Sequence, residues 1–271
     1  MNLKNGCRSN MEKSLPEMPS GRPIGIIIQA RMGSERLPGK VLKKLPDGEP
    51  VLRWVTERCL KSAQCQNVVV ATTLSPKDDE VIRFCDQFRY LSFRGSETDV
   101  LGRYLACAEH YSLDALVRVT ADCPFIAPEV IDQCVAKFRN GGFDYVNNSR
   151  TSKTFPRGLD VEVFSLDALK QAAKLAVKDY QREHVTIVFY ENPDFFRIGA
   201  VRADPDFYGP ELRLTVDTAE DFAFVSEVIT RLHPSSYAVN SVAIIELLRK
   251  HPEIGRINQS VQQKPIEGRI I

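Results

Sequence analysis

Ile24-Gly25-Ile26-Ile27-Ile28 runs straight into Gln29-Ala30-Arg31-Met32-Gly33-Ser34-Glu35-Arg36-Leu37-Pro38-Gly39-Lys40. The first five residues carry no charge and are mostly β-branched, which predicts a strand buried on both faces. The next twelve deliver two glycines, two arginines and a lysine before a helix can begin. Glycine lets backbone N–H groups close on an anion, and the cations neutralise more charge than a helix dipole does alone. At the carboxyl end of a first strand, that combination reads as a cradle for a nucleotide triphosphate. The plainer alternative is a charged surface loop.

Outward from this loop, strand-length apolar runs alternate with helical patterns. Strands are expected at Asn67 to Thr73, Leu91 to Arg94, Ala115 to Thr120 and Phe143 to Asn147, then at Leu159 to Phe164, Phe195 to Val201 and Leu212 to Val216. Helices are expected at Val51 to Ser62, Asp78 to Phe88, Asp99 to Tyr111, Pro128 to Gly141, Ala219 to Leu232 and Val242 to Arg249. This alternation predicts an α/β domain with a mostly parallel sheet covered on both faces. The pattern loosens over 149–194, which reads as an arm inserted in the domain and projecting from the sheet, for sugar binding, dimerisation or both. Residues 1–22 read as a disordered leader, with Met11 or Met18 as possible starts. The domain is then 23–250, followed by a polar, loosely held tail at 251–271.

Composition narrows the function classes. The 271 residues are 43% hydrophobic and carry a formal charge of +1, with no basic tract, so a nucleic-acid partner is not expected. No apolar run approaches the roughly 20 residues of a membrane span. The seven cysteines form no CxxC pair and their odd number opposes a disulfide framework, which suits the cytoplasm. A Walker A loop is excluded, because five residues separate Gly33 from Gly39 and Val41 follows Lys40. The dinucleotide fingerprint of three spaced glycines is missing too.

Two acidic blocks lie at expected strand ends. In Arg118-Val119-Thr120-Ala121-Asp122-Cys123-Pro124-Phe125, Pro124 places Asp122 in a turn at the carboxyl edge, where open α/β sheets bind ligands. In Glu211-Leu212-Arg213-Leu214-Thr215-Val216-Asp217-Thr218-Ala219-Glu220-Asp221, the strand-like alternation stops at Asp217. Each aspartate suits magnesium held between carboxylates and phosphates, and each equally suits a turn or helix cap. Two aspartates meet only around a cation, so a shared ion is expected between them. Phe93-Arg94-Gly95-Ser96-Glu97-Thr98-Asp99 supplies a helix start, and Cys123 reads as packing.

The Gln29 to Lys40 segment resembles the opening of the CMP-sugar synthetases, the cytidylyltransferases that activate acylneuraminates and other ulosonic acids. The resemblance is strongest to the spore-coat polysaccharide branch, whose chains begin Gln-Ala-Arg-Met-Gly-Ser-x-Arg-Leu-Pro-Gly-Lys. It implies a three-layer nucleotidyltransferase fold, Rossmann-like and GT-A-like, over roughly Ile24 to Leu232. It implies transfer of CMP from CTP to the anomeric hydroxyl of a sialic-, legionaminic- or Kdo-like acid, with Mg2+ or Mn2+ held by Asp122 and Asp217. Arg31, Arg36 and Lys40 would stabilise the phosphates. Gln29, Ala30, Gly33 and Ser34, with Arg94, Gly95 and Ser96, would bind the nucleotide. Pro156-Arg157-Gly158-Leu159-Asp160-Val161-Glu162 and Arg182-Glu183-His184 would line the acceptor, through Arg157, Asp160, Glu162, Arg182 and His184. Read as residues alone, these charges equally mark a solvated strand face and a structural histidine. A homodimer is the expected assembly. Another NTP, a sugar phosphate acceptor, or a catalytically silent nucleotide-binding partner are the alternatives.

Overall fold

The computed structural model describes residues 23–150, 153–232, 237 and 239–264. In chain order the elements are β1 (Ile24–Gln29), α1 (Val51–Cys59), β2 (Asn67–Thr73), α2 (Asp79–Phe88), β3 (Leu91–Gly95), α3 (Val100–His110), β4 (Ala115–Thr120) and α4 (Pro128–Gly141). Then come β5 (Tyr145–Asn147), β6 (Glu162–Ser165), α5 (Leu166–Leu175), α6 (Asp179–His184), α7 (Ile187–Glu191) and β7 (Ile198–Ala200). Helices α8 (Ala219–Leu232), α9 (Ser241–Lys250) and α10 (Pro252–Gly255) close the described chain.

The strands form one sheet in the order β3-β2-β1-β4-β6-β5-β7. β1 pairs in parallel with β2 and β4, and β2 with β3. Only β6 runs the other way, antiparallel to both β4 and β5. The strand order reverses between β1 and β4, so the carboxyl ends of those two strands flank a topological switch point, the usual ligand crevice of such sheets.

Strand alternation sends Ile24, Ile26, Ile28, Val117 and Val119 to one face, where they pack with residues of α1, α4, α8 and α9. Ile27, Leu116, Tyr145 and Phe164 line the other face under α3, α5 and α7. Both faces are covered, which explains why β1 and β2 read as continuous apolar runs. Helix starts follow local chemistry. Asp99 accepts from Gly102 N ahead of α3, Ser165 accepts from Ala168 N ahead of α5, and Pro128 opens α4.

The inserted segment is anchored more deeply than an arm. Residues 162–165 are a central strand of the sheet, and α5 and α7 supply much of one core face. The expected strand at Leu212 to Val216 is extended but makes only an isolated bridge, Arg157 with Arg213. Nor is the described tail loose: Ile254 is buried, and the Asn258 side chain is 2% exposed.

Candidate active site

The loop after β1 is held from beneath by Asp78, a buried residue in the turn after β2. Its carboxylate accepts from Met32 N at 2.7 Å, from Thr73 N at 3.2 Å and from the Thr73 hydroxyl. Gly39 N reaches back to Met32 O at 3.2 Å, and Gly39 itself takes φ 68, the left-handed conformation glycine tolerates best. The loop therefore doubles back and turns Lys40 inward, where the residue is 9% exposed.

Lys40 Nζ lies 2.8 Å from Asp122 Oδ2 and 2.8 Å from Asp217 Oδ1. The two aspartates do meet around a cation, and in this structure the cation is the lysine ammonium. Backbone pairing sets the meeting point. Val216 N donates to Asp122 O at 2.7 Å and Leu214 N to Arg157 O at 2.7 Å, so the extended segment 212–216 is laid against Asp122 and delivers Asp217 beside it. Gly158 makes the approach possible. It has φ 102, and a Cβ there would stand 2.7 Å from the Leu214 carbonyl carbon.

Asp217 gathers two more cations, Arg36 Nη2 at 3.0 Å and Arg213 Nη2 at 2.7 Å. Arg213 is aimed by Asp221, whose oxygens accept from its Nε at 2.8 Å and its Nη2 at 3.0 Å. Asp221 also accepts from Asn258 Nδ2 at 2.9 Å, so the segment after α10 braces the site. Arg36 Nη1 donates to Gln262 O at 3.3 Å and Lys264 pairs with Glu35 at 3.3 Å, which brings the same segment across the phosphate loop. Asp78 and Asn258 carry no distinctive sequence signal: one reads as a helix start, the other as a polar tail residue.

Burial opposes charge on both sides of the Lys40 contact, and the pairing wins. Lys40 is desolvated, yet the facing carboxylates raise its pKa above the ordinary value. Asp122 is likewise desolvated, yet Lys40 holds its carboxyl far below the usual range. Cys123 beside it is pushed well up by burial and is a packing thiol.

The donor set suits magnesium. Two carboxylate oxygens already converge on one cation position, and the Cys123 thiol lies 3.5 Å from Asp122 Oδ1. Among the described residues no cluster of three or more His, Cys, Asp or Glu exists.

Not every expected contact gathers here. Arg31 and Gly33 are exposed on the loop, Ala30 is buried, and the Ser34 hydroxyl caps Leu37 N at 3.4 Å. The Arg94 guanidinium is committed to Thr73 O, Asp79 and Ser75 O, all within 2.9 Å, so it ties β3 to the turn after β2 and is not free for a nucleotide. Ser96 caps Asp99 N, and Gly95 lies against the Arg103 side chain. Arg103, unnoticed in the sequence, is 1% exposed, with Nε and Nη2 unpartnered.

On the acceptor side Arg157 is exposed, and Asp160 accepts from Gly158 N at 2.8 Å to lock its turn. Arg182 points to Asp99 at 2.8 Å and to the carbonyls ending α5, away from the aspartates. Glu162 is 3% exposed and fully engaged by protein groups, so it is no free substrate ligand. His184 is half-buried beside Arg118 and Arg150, and burial first, then those cations, hold its pKa down. A cavity of about 650 Å3 lies at the opposite, amino edge of the sheet, lined by Ile24, Ala115, Asp144 and Ser165, and contains none of these residues.

The order and direction of the strands agree with what comparison finds. Residues 25–250 match the cytidylyltransferase family model. The chain is 33% identical over 235 residues to the spore coat polysaccharide biosynthesis protein SpsF of Bacillus subtilis, covering 85% of this chain and 95% of that one. It superposes on a cytidylyltransferase structure from Leptospira borgpetersenii with TM-score 0.81 and 33% identity, covering 90% of this chain and 100% of that one. It shares its fold, at TM-score 0.59 and 21% identity over 78% of this chain and 99% of that one, with CMP:2-keto-3-deoxy-manno-octonic acid synthetase complexed with CTP. With the family model spanning nearly all of the α/β domain, this chain belongs to the cytidylyltransferase family.

Proposed function

We propose that this chain transfers CMP from CTP to the anomeric hydroxyl of an ulosonic acid of the sialic-, legionaminic- or Kdo-like kind, for surface glycan synthesis. The carrying observation is Lys40 between Asp122 and Asp217, with Arg36 and Arg213 on the second aspartate. The choice of acceptor is supported by the CMP:2-keto-3-deoxy-manno-octonic acid synthetase that shares the fold.

In this reading the acceptor oxygen bonds to the α-phosphorus, the bond to pyrophosphate breaks and the hydroxyl proton passes to solvent. Arg36 and Lys40 would bind the β- and γ-phosphates and stabilise the departing charge; Arg31 is placed on the same loop to join them. Lys40 would exchange its aspartate contacts for phosphate contacts as the nucleotide arrives. Asp122 and Asp217 would then hold magnesium or manganese, whose chemistry is to polarise the α-phosphoryl group and offset charge on the pyrophosphate. Asp221 and Asn258 keep Arg213, and through it Asp217, in place.

The proposed setting is the cytoplasm. The six described cysteines are unpaired and five of them are buried. No described helix is long and apolar enough to cross a membrane. We also propose a homodimer, to be tested by light scattering, where a monomer mass at working concentration refutes it. The reaction is tested by pyrophosphate release with each of the four NTPs against a panel of ulosonic acids, neutral sugars and sugar phosphates. CTP with an ulosonic acid is the expected pair. Turnover with a different NTP or only with sugar phosphates overturns the assignment, and binding without any turnover marks a silent partner.

A further inference from the structure

Gln29, Arg118 and Thr120 fall on the same face as Ile27 and Leu116, at the carboxyl edge of β1 and β4. β6 runs antiparallel, so its first residue, Glu162, comes to the same edge in register with Arg118. The Glu162 carboxylate takes Arg118 Nη1 at 2.5 Å on one oxygen. Its other oxygen takes the Tyr145 hydroxyl at 2.6 Å and the Thr186 hydroxyl at 2.7 Å. Thr186 is brought there by an unusual backbone. Val185, a buried β-branched residue, has φ 53 and ψ −66, and Thr186 N donates to His184 O at 2.5 Å, which is the strained γ-turn. Strain of this kind persists only where the surroundings over-determine it, and it concentrates at functional sites.

This scaffold fixes one end of Arg118 and leaves the other open. Among the described residues Nη2 has only Gln29 Oε1, at the 3.5 Å limit, and the buried Nε has no hydrogen-bond partner. The guanidinium leans toward the edge, because Gln29 is in register with Thr120, two residues beyond Arg118. Gln29 is also the first residue of the phosphate loop. In an ulosonic acid the carboxylate is bonded to the anomeric carbon, so the group that binds it must lie next to the triphosphate. Of the other arginines near this edge, Arg182 is committed to Asp99, Arg157 is exposed beside the segment 212–214, and Arg150 is exposed over the Tyr190 ring. Arg118 has a supporting carboxylate, two poorly paired N–H groups and the right address.

We infer that Arg118 is the anchor for the acceptor's carboxylate and sets acceptor specificity, with Glu162 as its positioning residue. This rests on the cytidylyl-transfer reading above. A planar fork suits a carboxylate, and a lysine in its place keeps the charge but not the two-pronged contact. Arg118 and Arg150 both lie near Glu162 and, against the cost of burial, hold its carboxyl below the usual range.

The test measures binding of N-acetylneuraminate and 3-deoxy-manno-octulosonate, each beside its methyl ester, by calorimetry on the full chain saturated with a non-transferable CTP analogue in place of CTP, so that no turnover occurs. Wild type is expected to prefer the free acid over its ester by at least about tenfold. Arg118→Lys should reduce that preference and Arg118→Met with Glu162→Gln should abolish it, the double variant avoiding an unpaired buried carboxylate. Glu162→Gln alone should reduce it while CTP affinity stays within about twofold in all three. A merely structural role would not move the acid-to-ester ratio. An unchanged ratio in the double variant, or loss of CTP binding in step with it, overturns the inference. If wild type binds neither acid, the anchor is refuted as well. Pyrophosphate release from CTP with a neutral or phosphorylated sugar would then leave cytidylyl transfer standing.

Discussion

The two halves of the sheet are built on different terms. On the β3-β2-β1 side all the strands run parallel, and Arg36 and Lys40 come from one long loop that its own backbone folds inward. On the β4-β6-β5-β7 side one strand is reversed, and polar residues meet through contacts distant in sequence. Arg118 finds Glu162 44 residues away, and Glu162 finds Thr186 24 residues away through a strained turn. In the proposed reaction the first half would handle a ligand of fixed chemistry, the triphosphate, and the second would carry the choice of acceptor while leaving the phosphate machinery alone.

The sharpest way to break that division is at the seam, where Asp122 and Asp217 meet Lys40. Asp122→Asn and Asp217→Asn should each lower kcat by at least about 10³-fold with the fold retained, because a charge that faces metal and phosphate is lost rather than packing. Steady-state kinetics beside circular dichroism decides the matter. Near-normal turnover in either variant removes the site from this place.

Lys40→Ala follows, with kcat expected to fall on the order of 10²- to 10³-fold and CTP affinity to fall with it. It also leaves Asp122 and Asp217 facing each other, so Mn2+ should bind the nucleotide-free variant more tightly than wild type, as read by electron paramagnetic resonance. Equal Mn2+ affinity would mean that the lysine does not occupy the cation position.

A smaller effect separates the halves by pH. Asp122, Asp221 and Glu162 all have folded pKa values below their unfolded ones, through Lys40, Arg213 and Arg118 respectively. Their contribution is therefore present above the unfolded carboxyl range and lost as pH falls through the folded values, which begins below about pH 4. Removing the Arg118–Glu162 pair in the double variant should shallow the loss of Tm between about pH 5 and 3. A wild-type slope in that variant would show that the buried pair is not a source of acid sensitivity.

The smallest effect belongs to Arg182→Ala. Its ion pair with the α3 cap Asp99 is about one-third exposed on each side, so a loss of only about 1 kcal/mol is expected, with unchanged kinetics for CTP and acceptor. A raised acceptor KM would return Arg182 to the acceptor site.

What the sequence made legible follows the same seam. The phosphate loop could be read because its chemistry is local: a buried strand, Gly33, Gly39 and three cations lie within seventeen residues of one another. Asp122 and Asp217 could be placed at strand ends, although Leu212 to Val216 is drawn straight by pairing with Asp122 and Arg157 rather than by a ladder. The acceptor side could not be read to the same depth. Alternating charge around Glu162 suggests a solvated edge, yet antiparallel insertion between β4 and β5 buries it. Arg94 looks like a ligand in sequence and is a brace in space. Asp78, Arg118 and Asn258 owe their importance to partners that local patterning does not reveal.

The bracing of the phosphate loop by residues far along the chain has a consequence for biosynthesis. Lys40 waits for Asp217 across 177 residues, and Glu35 waits for Lys264 across 229. Strands β1 to β4 emerge from the ribosome first and can pair among themselves, since domains gather from the N-terminal side as they are made. The nascent protein then carries Lys40 and Arg36 without Asp217 to neutralise them. Until residues 213–264 arrive, the growing chain holds these cations on an unbraced loop, and it cannot yet assemble the carboxylate pair that the proposed function requires.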